Sequence, residues 1–138
     1  MTRILVVDDD PSVGAAIQMM LGREGCDTVH VAGAIAGIGA LESSSFDLAI
    51  IDIFLPDIDG LETIAEFRRR VPALPILAIS GFIFRHSMDP VLDYLALAGK
   101  AGAAVCLRKP FASRQLIAAV HASLASLLPV ERVLEIDN

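Results

Sequence analysis

The sequence predicts an α/β domain: an open, doubly wound sheet of five parallel strands between two layers of helices, in strand order 2-1-3-4-5. Three observations predict it. Short apolar runs such as Ile4–Val7, Leu48–Ile51, Ile76–Ile79 and Ala104–Leu107 have the length and character of strands buried on both faces. Stretches of helical period separate them, so strand and helix alternate along the chain, as βαβ crossovers require. Polar residues then stand where the runs stop: Asp8-Asp9, Asp52, Ser80 and Lys109. In a parallel sheet all the carboxyl ends lie at one edge, where the polar site forms. The order 2-1-3-4-5 places strands 1 and 3 side by side at the switch point, which brings Asp8, Asp9 and Asp52 together.

The elements follow in order. The first strand covers Arg3 to Asp8. Asp10 is suited to cap the first helix and Pro11 to open it. Val13, Ile17, Met20 and Leu21 give that helix an apolar stripe, and Gly25 marks its stop. Strand 2 is Thr28 to Ala32. Helix 2, Gly33 to Ser43, carries Gly37 and Gly39 and should be weak. Strand 3 is Phe46 to Asp52. Asp57 and Asp59 serve the turn before helix 3, with Gly60 supplying its backbone shape. Helix 3 runs from Leu61 to Arg70 and ends at Val71-Pro72. Its terminal Arg68-Arg69-Arg70 cluster should face solvent and complement the helix dipole. Strand 4 is Leu74 to Ile79. Helix 4 is Pro90 to Lys100, with Gly102 as its terminal glycine. Strand 5 is Ala103 to Arg108. Helix 5, Ala112 to Leu127, presents Leu116, Ile117, Val120, Leu124 and Leu127 on one face and stops at Pro129. Residues 1–128 form the domain, and 129–138 a short tail.

Bulk composition bounds the function. The chain has 138 residues, the size of one domain, and is 54% hydrophobic and 20% charged, enough to bury a core. Its net charge of −6 argues against direct nucleic-acid binding, which wants a basic face. No apolar run reaches the length of a bilayer span, and the first strand begins too early to leave room for a signal peptide. A cytoplasmic protein without membrane contact is the expectation. Cys26 and Cys106 lack metal-ligand spacing and should be reduced, buried thiols. His30, His86 and His121 form no ligand pattern and read as surface or structural residues.

Three carboxylates in one crevice repel one another unless a cation joins them. Mg²⁺ (or Mn²⁺) suits them, since it takes oxygen ligands from one or two carboxylates, water and phosphate. Asp9 and Asp52 are the candidate direct ligands, with Asp8 direct or through water and the Phe54 carbonyl as a further oxygen. A carboxylate can also attack phosphorus, and Asp52 stands alone at the central strand end. Lys109 and the Ser80 hydroxyl would face the phosphoryl oxygens.

Val6-Val7-Asp8-Asp9, then Asp52-Ile53-Phe54-Leu55-Pro56-Asp57-Ile58-Asp59-Gly60, then Ser80-Gly81, then Lys109-Pro110-Phe111, together resemble the receiver domain of bacterial two-component response regulators. The match runs over essentially the whole chain. The resemblance implies a CheY-like, flavodoxin-like three-layer sandwich with five helices. It implies Asp52 as phosphoacceptor, Asp8 and Asp9 as Mg²⁺ ligands, Ser80 as the switch hydroxyl, Lys109 as the phosphoryl-sensing lysine, and a cis Lys109-Pro110 peptide. It implies a phosphorelay in which a histidine kinase or histidine phosphotransfer protein is the donor. The surface around helix 4, strand 5 and helix 5 then changes to engage a downstream protein target, and a phosphorylation-dependent homodimer is compatible with that face. Such a domain is a signalling phosphoprotein, not an enzyme that turns over a substrate.

Two departures stand out. Many receivers carry an aromatic three positions before the lysine; here that position is Cys106, a packing residue or a sign that another element relays the signal. The interval from Ser80 to Lys109 is also longer than in compact receivers, and Phe82-Ile83-Phe84 within it reads as a core plug or, by a slight preference, as a lid that docks a partner. Phe54 and Phe82 each lie two residues beyond a site residue and would crowd water approaching an acyl phosphate, so slow self-hydrolysis is expected. The alternatives are a receiver cut from a longer DNA-binding or enzymatic regulator and a phosphorylation-independent adaptor of the same fold. A haloacid-dehalogenase-type phosphatase would want Asp-x-Asp-Thr/Val, which Asp8-Asp9-Asp10-Pro11 does not match. A nucleotide-binding flavodoxin would want a glycine-rich loop after strand 1, which is lacking.

Overall fold

The structure, a computed structural model, describes residues 1–80, 98–126 and 135–136. The elements are β1 (Arg3–Val7), α1 (Pro11–Gly22), β2 (Asp27–Val31), α2 (Ala34–Ser43), β3 (Leu48–Asp52), α3 (Gly60–Arg70), β4 (Ile76–Ser80), a helical turn at residues 98–101 (α4), β5 (Val105–Arg108), α5 (Ser113–Leu124) and β6 (Glu135–Ile136). Every described strand pairing is parallel, and the sheet runs β2-β1-β3-β4-β5-β6. The five-strand order 2-1-3-4-5 is therefore present. One addition was not read from the sequence: β6 extends the sheet, with Glu135 opposite Cys106 and Ile136 opposite Leu107. Two residues carry no periodicity to read. What draws them in is the open edge of β5, a row of N–H and C=O groups seeking partners.

Strands β1, β3, β4 and β5 are largely buried on both faces, whereas the edge strand β2 is only partly buried, and alternate residues serve opposite sides. Ile4, Val6, Ile50, Leu77 and Ile79 pack with Ile17 and Leu21 of α1 and Leu116, Ala119 and Val120 of α5. Leu5, Val7, Ile51, Ile76 and Ala78 pack with Ile64 and Phe67 of α3 and Ala98 of α4. Gly37 lets α2 lie close on this second side, where a Cβ would come within 2.9 Å of the Phe67 ring. Helix ends follow the sequence logic: Asp10 and Asp59 cap α1 and α3 by accepting from Ser12 and Leu61 N–H, each at 2.9 Å. Gly102 closes α4 at φ +125°, and Gly25 sits at φ +83° after α1.

Several expectations need correction. Gly60 is not there for backbone shape, since its φ is not positive. It is there because a Cβ would lie 2.2 Å from the Cα of Ile53. The arginine cluster divides. Arg69 and Arg70 stay outside, paired with Glu66 and, for Arg70, also Glu42 at 2.7 Å. Arg68 turns inward and donates to the carbonyls of Pro72 (2.6 Å), Leu74 (2.9 Å) and Gly102 (2.6 Å). Carbonyls left without partners beyond two helix ends outcompete solvent for that guanidinium. Cys106 is buried, whereas Cys26 precedes β2 and is half-buried, and the two are not joined in a disulfide. Helix α5 ends at Leu124, capped by Ala125, short of Leu127 and Pro129, which lie outside the described residues. So do Phe82, Ile83, Phe84, His86 and most of the expected fourth helix. Among the described residues no helix is long and apolar enough to cross a membrane.

Candidate functional site

Strand β1 stops being purely apolar at Asp8, whose N–H still bonds the Val31 carbonyl at 3.1 Å. The Asp8 side chain is fully buried. Its Oδ1 accepts the Asp10 N–H at 2.9 Å, which turns the chain toward the α1 cap and leaves Asp9 exposed at the crest. On the adjacent strand, Val7 pairs with Ile51, so Asp52 emerges beside Asp8. Asp52 is 4% exposed, and its Oδ1 accepts from Phe54 N–H at 2.9 Å. Asp8, Asp9 and Asp52 each offer a carboxylate oxygen within 4.8 Å of the others.

The cation comes from β5. Ser80 pairs with Arg108 across β4 and β5, and the Lys109 N–H bonds the Ser80 carbonyl at 2.8 Å. The Lys109-Pro110 peptide is cis. The Lys109 Nζ reaches 2.9 Å from Asp8 Oδ2 and 3.2 Å from Asp52 Oδ2. Burial alone would lower the lysine's pKa, but Asp52 and Asp8 overcome it and hold the ammonium above its ordinary value. Burial also pushes the Asp52 carboxyl up, and the nearby Asp8 charge adds to this. The Phe54 N–H and Lys109 oppose both without cancelling them.

The residues fit a hard divalent ion. The three donors are carboxylates, the set Mg²⁺ and Mn²⁺ prefer. One lysine faces two buried carboxylates, 2.9 Å from Asp8 Oδ2 and 3.2 Å from Asp52 Oδ2, with the exposed Asp9 carboxylate beside them. One ammonium among three carboxylates leaves the site with an excess of negative charge, which a divalent cation would offset.

The other named positions are arranged as follows. Ser80 is fully buried at the end of β4, one residue past Ile79, the partner of Asp52 in register. Phe54 is half-buried just beyond Asp52. Cys106 is fully buried among the residues facing α3 and α4. Asp57 serves more than the turn before α3, where its carboxylate accepts from Ile58 N–H at 2.9 Å: it also accepts from Ala34 and Ile35 N–H, each at 3.1 Å, and so caps α2 from across the site loop. The N-cap of α2 is Gly33, which has no side chain to do this. His30, read from the sequence as a surface or structural residue with no partner named, has its Nε2 2.8 Å from the Asp8 carbonyl oxygen. The usable signal was topological: strand order puts the end of β2 against the end of β1.

Comparison with known proteins agrees with this fold. The family model described as "Response regulator receiver domain" matches residues 4–121. The chain is 33% identical over 126 residues to the transcriptional regulatory protein CpxR homolog of Haemophilus influenzae, covering 90% of this chain and 51% of that protein. It is 32% identical over 122 residues to the DNA-binding response regulator MtrA of Mycolicibacterium smegmatis, covering 88% and 50%. The chain thus spans about half the length of these curated relatives. Among solved structures, the CheY-like response regulator receiver domain protein from Methanospirillum hungatei superposes with a TM-score of 0.79 at 28% identity, covering 91% of this chain and 94% of that one. A parallel sheet containing the order 2-1-3-4-5, an acidic cluster at its carboxyl edge and a lysine closing over it therefore stand with a family match over most of the length: the chain belongs to the response regulator receiver domains of two-component signal transduction.

Proposed function

We propose that this receiver accepts a phosphoryl group on Asp52 from a histidine kinase or histidine phosphotransfer protein. One Asp52 carboxylate oxygen attacks phosphorus, the P–N bond to the donor imidazole breaks, and its electron pair stays on the imidazole nitrogen. The product is an acyl phosphate on Asp52. Asp8, Asp9, Asp52 and the Phe54 carbonyl would hold Mg²⁺ (or Mn²⁺), which when bound neutralises charge gathering on the phosphoryl oxygens. Lys109 supplies the second positive charge, and the Ser80 hydroxyl is a donor to a phosphoryl oxygen. The observation that carries this reading is the gathering of Asp8, Asp9 and Asp52 oxygens within 4.8 Å, with Lys109 Nζ 3.2 Å from Asp52.

Lys109 couples that site to the surface of β5, so phosphorylation alters the face around α4, β5 and α5 and hence its affinity for a downstream protein or a second copy. The protein works in the cytoplasm, turns over no substrate of its own, and makes no direct contact with nucleic acid or membrane. A second reading, a receiver belonging to a longer regulator, is favoured by the half-length coverage of its relatives; it uses the same pocket. The test is incubation with a small phosphodonor and Mg²⁺. The mass should rise by one phosphoryl group, and Asp52→Asn should abolish the gain. A gain that survives Asp52→Asn, or none in the parent chain, refutes the proposal.

A further inference from the structure

The end of β2 carries a feature that the phosphoacceptor chemistry does not use. His30 pairs in register with Val6, and its ring reaches forward to the peptide that joins Asp8 to Asp9. A carbonyl oxygen only accepts, so the 2.8 Å contact from His30 Nε2 to Asp8 O requires the proton on Nε2. The ring is also held from behind. It lies against Gly14 of α1, where a Cβ would fall 2.2 Å from His30 Cε1 and 2.4 Å from both ring nitrogens. Only a residue without a side chain leaves room for the imidazole between α1 and β2.

The consequence for Asp9 follows from peptide planarity. The Asp8 carbonyl and the Asp9 N–H belong to one rigid plane. His30 holds that plane by the Asp8 carbonyl, and the next residue of β2, Val31, holds the peptide before it by accepting the Asp8 N–H at 3.1 Å. Asp9 is exposed; among the described residues its own side chain shows no hydrogen bond or ion pair that would orient it. Its carboxylate is therefore aimed through the backbone. We infer that His30 is a positioning residue for the divalent-ion site, fixing the Asp8–Asp9 peptide so that Asp9 is preorganised toward Asp8 and Asp52, and that Gly14 is the space this histidine needs. The inference rests on the reading of Asp8, Asp9 and Asp52 as the ion site.

The test is Mn²⁺ binding to the unphosphorylated protein, followed by the resonance of free Mn²⁺, with urea unfolding of each variant alongside. The parent chain should bind, and Asp9→Asn should bind much more weakly. His30→Ala should weaken binding roughly tenfold, the size of effect typical when a group orienting a metal ligand is lost. His30→Gln places an amide N–H where Nε2 was and should restore most of the affinity. His30→Asn reaches only as far as Nδ1 and should not. Gly14→Ala should weaken binding in the parent but add nothing to His30→Ala. Parent-like affinity in His30→Ala, or Gln no better than Asn, overturns the inference alone. No Mn²⁺ binding by the parent, or none lost in Asp9→Asn, overturns the ion site and the inference with it.

Discussion

Gly60→Ala tests how α3 is seated behind the phosphoacceptor. The new Cβ would lie 2.2 Å from Ile53 Cα and 2.5 Å from both Ile53 C and O. All three are main-chain atoms, so no rotamer change relieves the overlap, and the start of α3 has to retreat from the end of β3 by more than an ångström. The Gly60 N–H bond to Ile53 O at 3.2 Å is lost in the process, worth about 1 kcal/mol net. Overpacking of this kind costs about 1–3 kcal/mol, and the better helix propensity of alanine returns roughly 0.5–1 kcal/mol. The net expectation is a loss of about 2 kcal/mol in urea unfolding followed by circular dichroism, read as a lower midpoint at an unchanged slope. Because Ile53 follows Asp52, acceptance of phosphate should fall as well. Gly39→Ala is the control: it sits on the exposed side of α2 with no atom within 4 Å of its Cβ and should gain about 0.5–1 kcal/mol. A Gly60→Ala protein as stable as the parent would show that α3 does not approach β3 as described.

Three further outcomes are expected. Lys109→Met leaves Asp8 and Asp52 buried together without their lysine and should cost about 3 kcal/mol in chelator; saturating Mg²⁺ should recover much of it in thermal unfolding, by linkage. For Asp57, burial pushes the carboxyl up, but the N–H groups of Ile35, Ala34 and Ile58 prevail and hold it below its ordinary value. Its contribution to stability is therefore complete above the ordinary carboxylate range and lost as the pH falls through the lowered folded value. Asp57→Ala should accordingly be less stable than the parent by about 1 kcal/mol at neutral pH, with the gap closing in acid denaturation series. Phe54→Asn opens the side of the pocket next to Asp52 and should speed decay of the phosphorylated form in radiolabel or mass time courses; an unchanged decay rate would sink the shielding idea.

What the sequence made legible is what short-range pattern encodes. Asp8, Asp52 and Lys109 each end an apolar run, and strand order then brings them together, which the 2.9 and 3.2 Å ion pairs reflect. The caps at Asp10 and Asp59 were readable because each partner lies two residues on. What escaped depends on distant partners. Asp57 acts 23 positions away, His30 22 and Arg68 34, and no local spacing announces them. Gly60 was noticed for the wrong reason, since a glycine needed for close approach looks in sequence like one needed for a turn. β6 is too brief to have a pattern and exists only because β5 has an open edge.

The sheet is also a partition. Among the described residues its two apolar clusters share no residue: one meets α1 and α5, the other α2, α3 and α4. The domain has two interiors separated by a single layer of peptide backbone. Lesions on opposite sides, such as Ile17→Val and Ile64→Val, have no common neighbours, so their costs should combine almost independently. Each chamber is then open to redesign on its own, with the phosphoacceptor at the rim where the two meet.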